Sequence, residues 1–179
     1  HAALASSDNR AAAALGRTWP GGMAAFIQAM NDKAEQLGMT RTRFADPTGL
    51  LAGNISTARD LVKLVAVARQ HPLFRVLSTD GEFTVLNRAS GQPIWMHNTN
   101  RLLREESSWD IRLSKTGYTA AAGRCLVMQT NVNGRPLTIV LLNSSGKLTR
   151  YGDVVRVRDW LLNTERRVPR LATAHVTGS

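Results

Sequence analysis

The sequence predicts an α+β fold in which helices come first and an antiparallel sheet with a packing helix comes last. Three observations carry that expectation: amphipathic helical patterns between Pro20 and Pro72, an Asn133-Gly134 dipeptide between two β-patterned runs, and a last helical stripe from Leu148 to Leu162.

The elements follow in chain order. Arg10 to Leu15 reads as a short helix for which Ser7 is a plausible N-cap by residue type. Pro20-Gly21-Gly22 opens a second helix, because Met23, Ile27, Met30, Ala34 and Leu37 recur at helical spacing, and Gly38 ends it. After the turn-rich Asp46-Pro47-Thr48-Gly49, Ser56 or Thr57 caps a helix with Asp60 in its first turn and Leu61, Leu64, Val65 and Ala68 as its buried stripe. His71 reads as a C-terminal cap residue and Pro72 as the stop. Residues 83–86 and 94–96 are short strand candidates. Trp109 to Lys115, Arg124 to Val132 and Arg135 to Asn143 form three antiparallel strands, the last two joined by a two-residue type I′ turn at Asn-Gly. Leu148, Tyr151, Val155, Arg158 and Leu162 then line the buried side of a closing helix. From Asn163 onward Arg, Thr, Pro and Ala dominate, which reads as a frayed tail over 163–179 behind one domain over 1–162.

Composition narrows the function classes. With 179 residues, 43% of them hydrophobic, the chain can bury a core as one domain. No apolar run approaches the roughly 18 residues of a membrane span. The single cysteine, Cys125, has no partner for an internal disulfide, and its run Cys125-Leu126-Val127-Met128 suits a buried small hydrophobe. His1, His71, His97 and His175 lack ligand spacing, so neither a metal nor another cofactor is expected. A net charge of +10 raises nucleic acid as a partner, but the arginines stand singly, without a continuous basic helix face or interleaved aromatics for base stacking. A diffuse positive field serves any acidic polymer equally.

The chemistry-bearing motifs are Ser7-Asp8-Asn9 and Lys115-Thr116-Gly117, the second ending an apolar segment and leading into the small-residue run Tyr118 to Gly123. Taken alone, Lys-Thr-Gly is an ordinary solvated turn. Between the two lie Gly38-Met39-Thr40, Phe44, Asp46-Pro47-Thr48-Gly49-Leu50 and Ser56-Thr57-Ala58-Arg59-Asp60-Leu61. In this order, over residues 3–162, the set resembles the D-alanyl-D-alanine peptidases of the penicillin-binding protein superfamily, most closely the penicillin-binding protein 7 type endopeptidases.

The resemblance implies a β-lactamase/D,D-peptidase-like antiparallel sheet packed by helices, and a periplasmic serine D,D-peptidase acting on peptidoglycan stem peptides. It implies inhibition by β-lactam antibiotics. It also implies roles. Ser7 would relay a proton between the attacking serine and the leaving nitrogen, and Asn9 would orient a lysine and bond a substrate carbonyl. Lys115 would set a positive charge beside Ser7 and the substrate carboxylate, to which Thr116 would donate its hydroxyl. Gly117 would let the substrate backbone approach, and the Tyr118 N–H would serve the oxyanion. Arg150, downstream, would supply a second cation for the carboxylate.

One part of the family pattern is missing. The superfamily nucleophile lies in a Ser-x-x-Lys motif upstream of Ser-x-Asn, and only residues 1–6 precede Ser7 here. The literal match Ser144-Ser145-Gly146-Lys147 comes in the wrong order, and Gly146 would break the turn that must set Ser144 and Lys147 on one helix face. The chain therefore reads as the C-terminal portion of the fold, inactive alone and needing its own upstream segment as partner for an open strand edge. A non-catalytic peptidoglycan-binding module is the alternative from another class. Among enzymes a D,D-carboxypeptidase or a class A-like β-lactamase remains, although the latter needs a glutamate on a loop after Ser-x-Asn, and in the plausible part of that interval only Glu35 stands, on a helix.

Overall fold

The computed structural model describes residues 1–104 and 109–167. Five helices precede the strands: α1 (Ala2–Ala5), α2 (Asn9–Thr18), α3 (Gly22–Gln36), α4 (Ala58–Ala68) and α5 (Pro72–Thr79). The cap of α2 is Asp8, whose carboxylate accepts the Ala11 N–H at 2.8 Å, so Ser7 is released from the capping role that its position suggested. Thr57 caps α4 by accepting the Asp60 N–H at 3.2 Å. Gly38, with φ of 65°, follows α3 in the left-handed region that glycine enters without penalty. His71 and Pro72 behave differently from the expectation. His71 is the N-cap of α5, and Pro72 begins that helix, because a first-turn residue has no intrahelical partner for the N–H that proline lacks.

The strands form two antiparallel units. A hairpin pairs β1 (Glu82–Leu86) with β2 (Pro93–His97), and a three-stranded sheet runs in the order β3 (Asp110–Thr119), β4 (Gly123–Val132), β5 (Arg135–Ser144). Asn133 and Gly134 both have positive φ, 50° and 76°, as a type I′ turn requires. β3 continues four residues past its expected end at Lys115. A register shift between Ile111 and Leu113 breaks the alternation of sides. Ile111 belongs to the core on one face, whereas Leu113 and Lys115 join Val127 on the face covered by α4 and α5.

α6 (Thr149–Arg167) closes the fold. Tyr151 and Val154 pack with Ile111, Leu126, Met128 and Ile139 to make the sheet's main core, and Val157 extends it. Arg158 lays its guanidinium 4.5 Å over the Trp109 ring. Tyr151 is buried as expected, but beyond it the stripe is shifted by one residue, to Val154 and Val157, and Leu148 is 53% exposed. The helix also runs to Arg167, past the Asn163 at which fraying was expected; the tail beyond it lies outside the described residues. No helix among the described residues is long and apolar enough to cross a membrane.

This packing makes a prediction for denaturant titration. Leu126→Ala leaves a cavity where no atom was exposed and should cost about 2–5 kcal/mol. Leu148→Ala should stay within about 0.5 kcal/mol of the parent; a larger loss there would put Leu148, and not Val154, against the sheet.

Candidate active site

The site begins with an ammonium out of water. β3 is an edge strand of its sheet, and its bulge turns Lys115 toward the helical layer. There Nζ donates to Ser7 Oγ and, at 2.7 Å, to the Thr116 carbonyl. Burial disfavours the charged form and lowers the Lys115 pKa from 10.5 to about 8.

Ser7 is held by strand-like contacts around α1. The Thr99 N–H donates to the Ala5 carbonyl at 2.9 Å, and Ser6 Oγ donates to the His97 carbonyl at 2.8 Å. Ser7 itself has φ of 54°, one of three non-glycine residues in the left-handed region among the described residues; the others, Asn133 and Asn143, are of the type that tolerates it. For serine the conformation costs roughly 1–2 kcal/mol, an outlier of the sort that surrounding contacts must enforce.

Those contacts come from Asn98-Thr99-Asn100, a tripeptide the sequence reading passed over. Asn98 Nδ2 donates to the Ser78 and Asp80 carbonyls at 3.0 and 2.9 Å, and its Oδ1 accepts the Asn100 N–H at 2.9 Å. Asn100, fully buried, donates to Ser114 Oγ at 2.9 Å. Thr99 is fixed between them. Its hydroxyl accepts from Thr116 Oγ1 at 2.6 Å, lies 3.5 Å from Ser7 Oγ, and donates to the Ala5 carbonyl at 3.3 Å. The available signal was two asparagines flanking a threonine directly after a strand, residues that bond backbone groups wherever regular structure stops.

Ser7, Asn9, Lys115, Thr116, Gly117, Tyr118 and Arg150, the seven residues singled out from the sequence, all line one cavity of about 460 Å³. Pro47, Thr48, Gly49 and Leu50 form part of its wall. The Asp46 carboxylate holds that loop, accepting the Thr48 N–H at 3.2 Å and the Gly49 N–H at 3.1 Å, together with Asn54 Nδ2. Gly49 needs its own conformational freedom, with φ of 82°. Gly117 does not: a Cβ there would meet nothing nearer than the Cys125 Cβ at 4.0 Å. Chain packing therefore gives no reason for glycine at 117, and the close approach it permits is from outside. Tyr118 is 59% exposed, with the Arg124 guanidinium 4.3 Å over its ring.

Arg150 sits at the start of α6 and is only 8% exposed. Its Nη2 donates to Tyr151 Oη at 3.1 Å, and that hydroxyl donates to the Thr99 carbonyl at 3.2 Å. Buried Nε and Nη1 have no hydrogen-bond partner. A buried guanidinium with two unmatched donors on a cavity wall has hydrogen bonds to offer an anion. The third charge there, Asp8, is already engaged: the Ala11 N–H and the Arg10 side chain hold its carboxyl below the usual range.

Three other sequence readings are resolved by position. Ser144 ends β5 opposite Arg124 and is not a lining residue of the cavity. Glu35 is exposed on α3, and no glutamate lines the cavity among the described residues. Cys125 is half-buried on the cavity wall instead of within the core, because β4 turns Leu126 and Met128 toward α6 and leaves residue 125 at the end of the strand.

Comparison with known proteins gives a consistent set. The family described as D-alanyl-D-alanine carboxypeptidase matches residues 1–146. A D-alanyl-D-alanine endopeptidase of Pseudomonas aeruginosa is 48% identical over 159 residues, covering 89% of this chain and 51% of the relative, so the chain spans about half that protein's length. Among solved structures, a penicillin-binding protein homologue from Mycobacterium tuberculosis superposes with a TM-score of 0.81 at 27% identity, over 93% of this chain and 64% of the other. Penicillin-binding protein D2 from Listeria monocytogenes, in its cefotaxime-bound form, gives 0.73 at 28% identity over 88% and 62%. The helices and antiparallel sheet are those of the penicillin-binding protein/D,D-peptidase fold that the sequence predicts.

The lowered Lys115 pKa has a consequence for stability. Between pH 8 and about 10.5 the folded chain has released this proton while the unfolded chain still binds it, so this group makes stability rise with pH across that window. Below pH 8 the buried ammonium costs up to about 3 kcal/mol relative to its unfolded environment. Lys115→Met should therefore be more stable than the parent at pH 7, and the gap should shrink by pH 10. Urea midpoints at the two pH values measure this; an equal gap at both would mean that burial does not shift Lys115.

Proposed function

The chain belongs to the D-alanyl-D-alanine carboxypeptidase family, and from that premise we propose that it furnishes the proton-relay and substrate-holding half of a periplasmic serine D,D-peptidase. The substrate is a peptidoglycan stem peptide, and the favoured bond is the D-alanyl cross-link to a second stem. The observation that carries this reading is the contact of Lys115 Nζ with Ser7 Oγ inside a cavity that also holds a half-unpaired Arg150.

In the proposed reaction a serine of a Ser-x-x-Lys segment other than Ser144-Ser145-Gly146-Lys147, placed upstream of Ser7 as in the family, attacks the D-alanyl carbonyl. The bond from serine oxygen to carbonyl carbon forms, the carbon–nitrogen bond breaks, and the serine's proton passes through Ser7 Oγ to the leaving amine. Lys115 favours each partly anionic stage of the Ser7 hydroxyl. Water then attacks the ester, and the serine recovers its proton. Thr116 and Arg150 hold a carboxylate on the leaving residue, the Tyr118 N–H faces the developing oxyanion, and Asn9 bonds a substrate carbonyl. A substrate strand added along β3 runs past Gly117, where a side chain would obstruct it. A β-lactam enters the same chemistry through its amide, as a cefotaxime-bound relative of this fold encourages. With no glutamate on the wall among the described residues to activate water, the resulting ester is expected to hydrolyse slowly.

The test uses the complete enzyme with its Ser-x-x-Lys segment and a cross-linked dimeric stem peptide. Lys115→Ala should lower kcat/KM by about 10²–10⁴-fold, and unaltered turnover would overturn the reading. Arg150→Ala should raise KM roughly 10–100-fold for substrates with a free carboxylate, the worth of a charge-assisted bond, and much less for the corresponding amides.

A further inference from the structure

Away from the catalytic cavity, three arginines meet on one hollow. Arg69 at the end of α4, Arg75 on α5 and Arg112 on β3 line a cavity of about 320 Å³, together with Gln129, Asn131 and Pro136. Asp110 answers only one of these cations directly. Arg112 Nη2 donates to Asp110 Oδ2 at 2.7 Å, while Arg112 Nε, 2.6 Å from Oδ1, is misaligned for a hydrogen bond. Asn131 Nδ2 donates to the same carboxylate at 2.6 Å. The Arg112 and Asn131 bonds, helped through space by Arg75, hold the Asp110 carboxyl below the usual range. Among the described residues, no hydrogen bond or ion pair engages the guanidinium of Arg69 or of Arg75. One carboxylate against three guanidiniums leaves two positive charges uncompensated, and like charges held together repel.

A group of surface arginines is ordinarily a solvated face; Gln129 sets this one apart. On β4 the side chains of Val127, Gln129 and Asn131 share one face by the two-residue period of a strand, and it is the face that α4 and α5 cover. Val127 lines the apolar recess behind Lys115, and Leu113 stands directly opposite Gln129. A hydrocarbon at 129 would continue that recess. Instead an amide lies there, 7% exposed, and its side chain makes no hydrogen bond among the described residues. A buried amide without a partner is costly. Arginines only donate, so they cannot accept the bonds that its NH2 group offers. An anion rich in acceptor oxygens can.

From these residues we infer that the hollow is an anion site, and that its ligand is a phosphate group, carried by a soluble phosphate ester or by a lipid headgroup. A phosphate monoester carries a charge of roughly −1.5 to −2 and three acceptor oxygens. The charge matches the two uncompensated guanidiniums, and the oxygens suffice for Arg69, Arg75 and the Gln129 amide together. A carboxylate has one oxygen and about one charge too few. Bound there, the anion ties the end of α4 and α5 to the sheet. The row Cys125, Val127, Gln129 leads along β4 from the catalytic cavity through the apolar recess to this hollow, so the anion stays apart from Ser7 and Lys115. The inference therefore does not rest on the peptidase reading.

Isothermal titration calorimetry of the complete enzyme with pyrophosphate, at fixed ionic strength over a chloride background, tests the site. Saturable binding is expected. Arg69→Gln and Arg75→Gln should each weaken it about tenfold or more, the worth of a charge-assisted bond. Arg17→Gln removes the same charge from an exposed position on α2 and should leave binding within about twofold of the parent. Gln129→Leu keeps the volume and the net charge; it should weaken binding about tenfold while Tm without pyrophosphate holds or rises. Equal weakening by Arg17→Gln and Arg75→Gln, or binding untouched by Gln129→Leu, would mean a diffuse positive field only and overturn the inference. Failure to saturate at millimolar pyrophosphate would overturn it as well. Sedimentation with phosphatidylglycerol vesicles, against phosphatidylcholine alone, separates the sources. Capture that is lost in Gln129→Leu assigns a lipid headgroup, and pyrophosphate binding without capture assigns a soluble phosphate. Turnover of the stem peptide should be the same in all four variants, so loss of the anion site and failure of the peptidase reading are seen separately.

Discussion

The contact between Lys115 and Ser7 is the constraint on which the arrangement depends. It joins residues 108 positions apart, one on a sheet edge and one between two helices. An ammonium withdrawn from water is tolerated only where oxygen acceptors replace its hydration, and here they are the Ser7 hydroxyl and the Thr116 carbonyl. The bulge between Ile111 and Leu113 is what aims Lys115 at this place, because without it Leu113 and Lys115 would face α6 with Ile111. A local irregularity in one strand thus determines which face of the sheet receives the charge.

The second requirement is rigidity at Ser7, whose backbone conformation is costly. Asn98 and Asn100 anchor their segment to carbonyls and hydroxyls from α5, its end and β3, so Thr99 has little freedom, and Thr99 in turn holds Ala5 on the backbone before Ser7. Tyr151 adds the link to α6, and Arg150 follows from it. Proton relay through a hydroxyl demands placement to a fraction of an ångström. The placement of Ser7 here is set by buried side-chain amides, each satisfied, instead of by regular secondary structure.

Much of this was legible in the chain, for reasons that differ by element. The Asn133-Gly134 turn was readable because both residues must take positive φ and few pairs do so cheaply. α3 and α4 were readable from periodicity. α5 was not, because Pro72 signals a stop and a start equally, and the residues after it, Leu73, Phe74 and Val76, are exposed, with no inward stripe to count. The α6 stripe slipped by one residue because Val154 and Val155 are chemically alike, and only the sheet opposite chooses between them. The seven site residues were found through a resemblance and not through physics: Ser-Asp-Asn and Lys-Thr-Gly have no intrinsic signal until they are brought together. Thr99 escaped for the same reason.

The depressed Lys115 pKa follows from its position between unlike surroundings. On one side lies the polar cavity with Ser7, Thr116 and Arg150. On the other lies an apolar recess of about 410 Å³, lined by Leu4, Leu64, Val65, Phe74, Leu113 and Val127. The mostly aliphatic lining of that second side contributes to the burial that lowers the pKa. Hydrocarbon against the recess keeps the ammonium poorly solvated, whereas water there would restore part of its hydration and raise the pKa again. The solvation of the Lys115 ammonium thus depends on packing behind the strand as well as on the groups in front of it.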